Sequence, residues 1–218
     1  MVVVKLKPLE EILKTLEGFK KVFIFGCELG SGRCKNGGLR EAKKLGERLK
    51  ERGFEITGIK SPGGTCILER ISFPGREFLK EAEKNSEVII SLACGAGTQL
   101  IAENVDIPVL TGVTTLFIGA EREGKYFNEY CIACGDCIIS ETGGICPIAR
   151  CPKSLTNGPC GGAIDGKCEV DPSIPCIWYL IADRMEKIGT LKKLKIKTPF
   201  KDYSKSVYPR SLFLEEEA

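Results

Sequence analysis

The stretch Val22-Phe23-Ile24-Phe25-Gly26-Cys27-Glu28-Leu29-Gly30-Ser31-Gly32-Arg33-Cys34-Lys35-Asn36-Gly37-Gly38 decides the class of the first half of the chain. The unbroken apolar run from Val22 to Phe25 suits a strand buried on both faces, as strands of a parallel sheet are. Gly26 and Cys27 end it, and a glycine-rich loop follows. Residues 39–52 then carry a charged amphipathic pattern that reads as a helix, stopped by Gly53. Residues 54–59 read as a second strand. Strand, loop, helix and strand form the unit from which parallel α/β sheets are built.

The same alternation extends in both directions. Residues 8–19 space leucines helically behind Pro8. Residues 75–85 read as another helix and 87–93 as a third strand. Gly95-Ala96-Gly97 turns into a helix at 98–103, and Val109-Leu110 opens a fourth strand, while residues 112–120 have no decisive period. The expectation for residues 1–125 is an α/β domain, a mostly parallel sheet with flanking helices. From about residue 126 the pattern changes. Residues 126–189 are expected to form a cysteine-rich iron–sulfur domain closing on a terminal helix from Cys176 to Gly189. Residues 190–218 form a tail that is basic, then aromatic, then acidic at Glu215-Glu216-Glu217. It is expected to wrap the protein or a partner.

Composition narrows the function. Hydrophobic residues make up 43% of the 218, enough for a real core. Lys and Arg number 32 against 29 Asp and Glu, a formal charge of +3 that implies no nucleic-acid partner. No apolar run approaches the roughly 20 residues of a membrane span. Residues 1–8, Met1-Val2-Val3-Val4-Lys5-Leu6-Lys7-Pro8, lack the form of a signal peptide, so a cytoplasmic location is expected. In that setting 12 cysteines argue for metal rather than disulfides. The chain contains no histidine. Ser/His and Cys/His machinery, His-containing zinc sites and Rieske centres are therefore excluded. Metal would be held mainly by thiolate, which suits iron–sulfur clusters or structural zinc. The glycine loops at 26–32 and 95–98 match neither the P-loop nor the dinucleotide pattern and read as tight turns.

Cys131-Ile132-Ala133-Cys134-Gly135-Asp136-Cys137 is the strongest chemical signal. Its C-x2-C-x2-C spacing is that of ferredoxin loops holding three corners of a [4Fe–4S] cluster. Cys146, Cys151, Cys160, Cys168 and Cys176 bring the segment to eight thiols, enough for two four-cysteine sites. Two [4Fe–4S] clusters are the expectation; one cluster plus zinc, or zinc alone, are the alternatives. Which cysteine completes the triplet stays open. Asp136, Glu141 and Lys153 read as solvated charges, and Trp178 and Tyr179 as packing. Cys27, Cys34, Cys66 and Cys94 lie at or after predicted strand ends. Such loops line one edge of a parallel sheet, so these four are candidates for a third metal site.

Taken with its neighbours, the cysteine run resembles a known family. The residues that carry the resemblance are the triplet, Thr142-Gly143-Gly144-Ile145-Cys146-Pro147, Cys151-Pro152, Asn157-Gly158-Pro159-Cys160-Gly161-Gly162, Gly166-Lys167-Cys168 and Cys176-Ile177-Trp178. Gly37-Gly38 and Ala93-Cys94-Gly95-Ala96-Gly97 add to them in the first half. They are similar to the methylenetetrahydrofolate reductase C-terminal domain family over roughly residues 20–190. That family's tighter first-loop cysteine cluster is reduced here to Cys27 and Cys34. The resemblance implies a small iron–sulfur or zinc partner subunit of a two-subunit methylenetetrahydrofolate reductase. It implies a catalytic partner carrying FMN or FAD, an electron-donor protein as a further partner, and electron relay rather than folate chemistry for this chain.

Overall fold

A computed structural model of the chain describes residues 1–73, 75–197 and 199–212. The described residues fall into two compact units, Met1–Asn128 and the residues from Glu129 onward. The acidic end of the tail, Glu215 to Ala218, lies outside them.

The first unit is built on a four-stranded, all-parallel sheet. Its strands are β2 (Lys21–Phe25), β3 (Glu55–Lys60), β4 (Val88–Ser91) and β5 (Val109–Thr111), in the order β3-β2-β4-β5. Val22 pairs with Ile56 on one side and Val88 on the other. The apolar run at Val22–Phe25 is explained by its two-sided burial. Val22 and Ile24 face one apolar cluster with Val88, Ile90, Ile12, Leu45 and Leu49. Phe23 and Phe25 face a second cluster with Ile71, Leu79, Ala82, Ile89 and Ile101.

The helices covering these faces are α1 (Leu9–Thr15), α3 (Leu39–Glu51), α5 (Phe78–Asn85) and α6 (Gly95–Ala102). Two four-residue helices, α2 (Gly30–Arg33) and α4 (Glu69–Ser72), sit in the loops after β2 and β3. α3 buries Ala42, Leu45, Gly46 and Leu49 along one stripe; each buried leucine contributes about 1.5–3 kcal/mol. At Gly46 a Cβ would lie 2.9 Å from Ile59 Cδ1 and 3.5 Å from Ile24 Cδ1. The glycine therefore lets α3 lie close on the sheet.

A second sheet, in the order β1-β6-β7, was not anticipated. β1 (Val2–Leu6) pairs antiparallel with β6 (Val113–Arg122), Val2 opposite Ile118 and Leu6 opposite Val113. Val3, Val4 and Val113 join the first apolar cluster. Glu123 and Gly124, with φ of 55° and 69°, turn the chain from β6 into β7 (Tyr126–Cys131). Two successive positive φ values are those of a tight hairpin turn. The parallel sheet thus meets the α/β expectation, and the ambiguous 112–120 segment is the long strand of an antiparallel sheet. No helix among the described residues is long and apolar enough to cross a membrane.

The second unit has little regular structure: α7 (Pro147–Arg150), α8 (Ile177–Lys187) and two 3-10 turns at Leu191–Lys195 and Tyr203–Ser206. Its apolar core is small, formed by Cys176, Ile177, Trp178, Ile181 and Met185, with Ile145, Cys151, Ala163, Leu180 and Leu194 around it. α8 ends where Gly189 takes φ +71°, and the Thr190 amide donates to the Met185 carbonyl at 2.8 Å.

Glu87 ties together the starts of the two central strands, β2 and β4. Its Oε2 accepts the Lys20 and Lys21 amides at 2.6 and 3.1 Å. These bonds, the Lys20 amide first, hold its carboxyl below the ordinary glutamate range. A depressed folded-state pKa contributes stability that is full above the unfolded value, about 4.3, and is lost as pH falls through the folded value. Glu87→Gln is expected to lower the melting temperature at neutral pH. The gap to wild type should close as pH falls below about 4, read by circular-dichroism melts across pH.

Candidate metal centre

Two stretches of the second unit carry the eight thiols, and the chain folds back on itself in each. In the first, Ala133 (φ +53°) and Gly135 (φ +80°) curl the backbone between Cys131, at the end of β7, and Cys137. The Ala133 amide donates to Cys131 Sγ at 3.3 Å. Cys134 Sγ lies 3.8 Å from the Asp136 carbonyl oxygen. Residues 138–145 then reverse direction around Thr142, which is buried and whose hydroxyl donates to the Ile145 carbonyl at 2.6 Å. Cys146 follows as the N-cap of α7, its Sγ accepting the Ala149 amide at 3.5 Å. At the other end of α7, the Arg150 guanidinium lies 4.9 Å from the Tyr130 ring centroid. The helix that Cys146 caps is thereby tied to the residue beside Cys131.

In the second stretch, the Cys168 amide donates to the Ile174 carbonyl at 3.0 Å and the Cys176 amide to the Gly166 carbonyl at 2.8 Å. Bridges between Ile164 and Lys167 and between Lys167 and Pro175 complete a small hairpin. Cys151, Cys160, Cys168 and Cys176 all line one cavity of about 20 Å³, beside Ile177 and Trp178. Lys153 is ion-paired with Glu169 at the same cavity. Trp178 is buried, and its Nε1 donates to the Leu155 carbonyl at 3.2 Å.

All 12 cysteines are free thiols. Among the described residues, no three or more Cys, Asp or Glu side chains stand close enough together to hold a metal ion. The donor set nevertheless fits soft-metal chemistry: every sulfur is unbridged, and two accept backbone amides.

The first-unit cysteines separate into different environments. Cys27 follows β2, Cys66 follows β3 and Cys94 caps α6 after β4, each beyond the carboxyl end of a parallel strand. Cys34 lies in the first apolar cluster, its thiol donating to the Ser31 and Val4 carbonyls at 3.3 and 3.5 Å. Around this rim Glu28 Oε1 accepts the Leu39 amide at 2.7 Å and the Ser61 hydroxyl at 2.5 Å. Among the described residues, the buried hydroxyls of Ser31 and Thr65 have no hydrogen-bond partner.

Asp136 departs from the solvated charge its sequence context suggested. Its side chain is only 26% exposed and is engaged by the tail. The Asp202 amide and then Lys205 hold its carboxyl below the ordinary aspartate range. Sequence reading missed the tail residues because they are polar and show no periodicity. A separate cavity of about 910 Å³ lies between Trp178 and Tyr179 on α8, the Asn157-Gly158-Pro159 turn and Lys193 to Lys197. The Asn157-Gly158-Pro159-Cys160 string thus has one end at this cavity and the other at the four-cysteine cavity.

Comparison with known proteins yields one family. Residues 110–204 match the model of the family described as methylene-tetrahydrofolate reductase C terminal. The match takes in all eight second-unit cysteines and leaves residues 1–109 and 205–218 outside. No curated protein and no solved structure matches the chain.

Exposure ranks the thiols. Cys66, Cys131, Cys137 and Cys160 are exposed, whereas Cys27, Cys34 and Cys176 are buried. In the metal-free, reduced chain, iodoacetamide should modify the four exposed cysteines first and the three buried ones last. Mass-mapped time courses read this order, and early labelling of Cys34 would contradict its core placement.

Proposed function

We propose that the chain is a metal-bearing small subunit that serves a methylenetetrahydrofolate reductase, with its thiols divided into two four-cysteine sites. One observation carries the reading: Cys151, Cys160, Cys168 and Cys176 surround a single cavity, inside the segment that matches the reductase-related family. The remaining four, Cys131, Cys134, Cys137 and Cys146, form the second set. The stacking of Arg150 on Tyr130, which ties the helix behind Cys146 to Cys131, supports that grouping.

Loaded with [4Fe–4S] clusters, the two sets would supply one-electron redox centres able to exchange electrons with the flavin of a reductase partner. The chain's own residues hold, orient and shield. Positive-φ residues curl the triplet loop, the 164–176 hairpin sets Cys168 beside Cys176, and α8 closes the cavity of Cys151, Cys160, Cys168 and Cys176 with Ile177 and Trp178. The chain has no histidine, and its carboxylates with lowered pKa, Glu87, Asp136, Asp171 and Asp202, are held in the charged form by hydrogen bonds. Folate reduction is therefore assigned to the partner. The proposal extends to a third site at the rim of the first unit, with Cys27, Cys66 and Cys94 as donors. Cys34, whose thiol is bonded inside the core, is left out of it.

Metal analysis of the anaerobically purified chain tests this. Two clusters correspond to about eight iron and eight sulfide per chain, with more if the rim is loaded. Cys134→Ser and Cys168→Ser should each remove the iron of one cluster, and the double variant both. Zinc in place of iron, with no paramagnetic signal after reduction, would leave a zinc-stabilised structural subunit and end the electron-relay reading.

A further inference from the structure

The triplet loop has a second stretch of chain lying on it. Residues 201–210 of the tail bond to it at successive positions. Lys201 is buried, donates to the Asp136 carbonyl oxygen and lies 3.9 Å from the Asp136 carboxylate. The Asp202 amide donates to Asp136 Oδ2 at 2.9 Å, and Lys205 Nζ to Oδ1 at 3.2 Å. Ser206 Oγ donates to the Cys134 carbonyl oxygen at 2.7 Å. Arg210 donates through Nη2 to the Ala133 carbonyl at 2.7 Å and through Nη1 to the Lys205 carbonyl at 2.8 Å. One guanidinium therefore fastens tail to loop. Gly135 admits this close approach, since a Cβ there would sit 2.5 Å from the Lys205 carbonyl oxygen.

These bonds have two properties that matter. They take up carbonyl and carboxylate oxygens of the loop and involve no sulfur, so they fix the backbone that carries Cys131, Cys134 and Cys137 while leaving its thiols as donors. They also bring three cationic side chains, Lys201, Lys205 and Arg210, to the same loop. Burying an ammonium is costly unless it is paired, and Lys201 finds its partners on the loop itself.

We infer that residues 201–210 are a clamp that preorganises the Cys131–Cys137 loop for metal, with Lys201, Ser206 and Arg210 as positioning residues. The metal in this inference rests on the proposed function; the clamp can be tested without it. In the metal-free chain Cys134 is half-buried, and the clamp holds the loop backbone in that arrangement. The Ser206→Ala/Arg210→Ala double variant and a chain ending at Pro199 should both alkylate Cys134 roughly tenfold faster, the effect of losing hydrogen bonds of ordinary strength. Cys168 and Cys176 should keep their wild-type rates, which reports that the rest of the unit is folded. Arg210→Lys, which cannot reproduce the planar two-nitrogen contact, should also speed Cys134. If the shortened chain exposes Cys168 and Cys176 as well, the double variant decides. A wild-type Cys134 rate in the double variant overturns the clamp. In the loaded chain the same variant should lose iron to a chelator faster from the site that Cys134→Ser empties, and equal loss from both sites counts against the inference. A wild-type chain that takes up no metal sinks the proposed function, while the Cys134 rates still judge the clamp.

Discussion

Apolar burial is scarce in the second unit, and its architecture follows from that scarcity. Ordering each residue costs about 1–2 kcal/mol of backbone entropy. The first unit offsets this with two apolar clusters on the faces of a parallel sheet. The second has one small cluster around α8 and long stretches of glycine, proline and cysteine. Cys176 belongs to that cluster and Cys151 packs against it, and both line the four-cysteine cavity. Under the proposed function, metal at that cavity would cross-link the segments that the apolar core alone holds weakly, so folding and metal binding would be one event.

The tail adds a second means of holding the same unit together. Ile177 and Trp178 line the cavity of Cys151, Cys160, Cys168 and Cys176. The Cys131–Cys137 loop receives polar bonds from Lys201, Asp202, Lys205, Ser206 and Arg210. Under the proposed function, the two four-thiol sets would be supported by different physics, hydrophobic packing for one and a charged strap for the other.

Parts of the fold were legible in the sequence because their cause is local. Val22–Phe25 announces a two-faced strand, and α3 announces itself by a buried stripe of Ala42, Leu45 and Leu49 within a charged helix. β1 was not legible, because its partner Ile118 lies 116 residues beyond Val2 and the pairing leaves no local period. β6 was ambiguous for the same reason. The eight thiols and their spacing were visible, but the grouping proposed for them rests on the 164–176 hairpin and the Arg150–Tyr130 contact, neither of which has a periodic signature. Asp136 looked like a solvated charge because its partners, Lys201 and Lys205, come from the far end of the unit.

The central claim is that the second unit carries two metal centres, each held by its own four cysteines. An iron anomalous-difference map from crystals grown anaerobically tests it most directly. The account predicts one iron peak cluster bound by Cys151, Cys160, Cys168 and Cys176 and another bound by Cys131, Cys134, Cys137 and Cys146. Density bridging the two sets through a shared cysteine, or no anomalous signal at either, would contradict it.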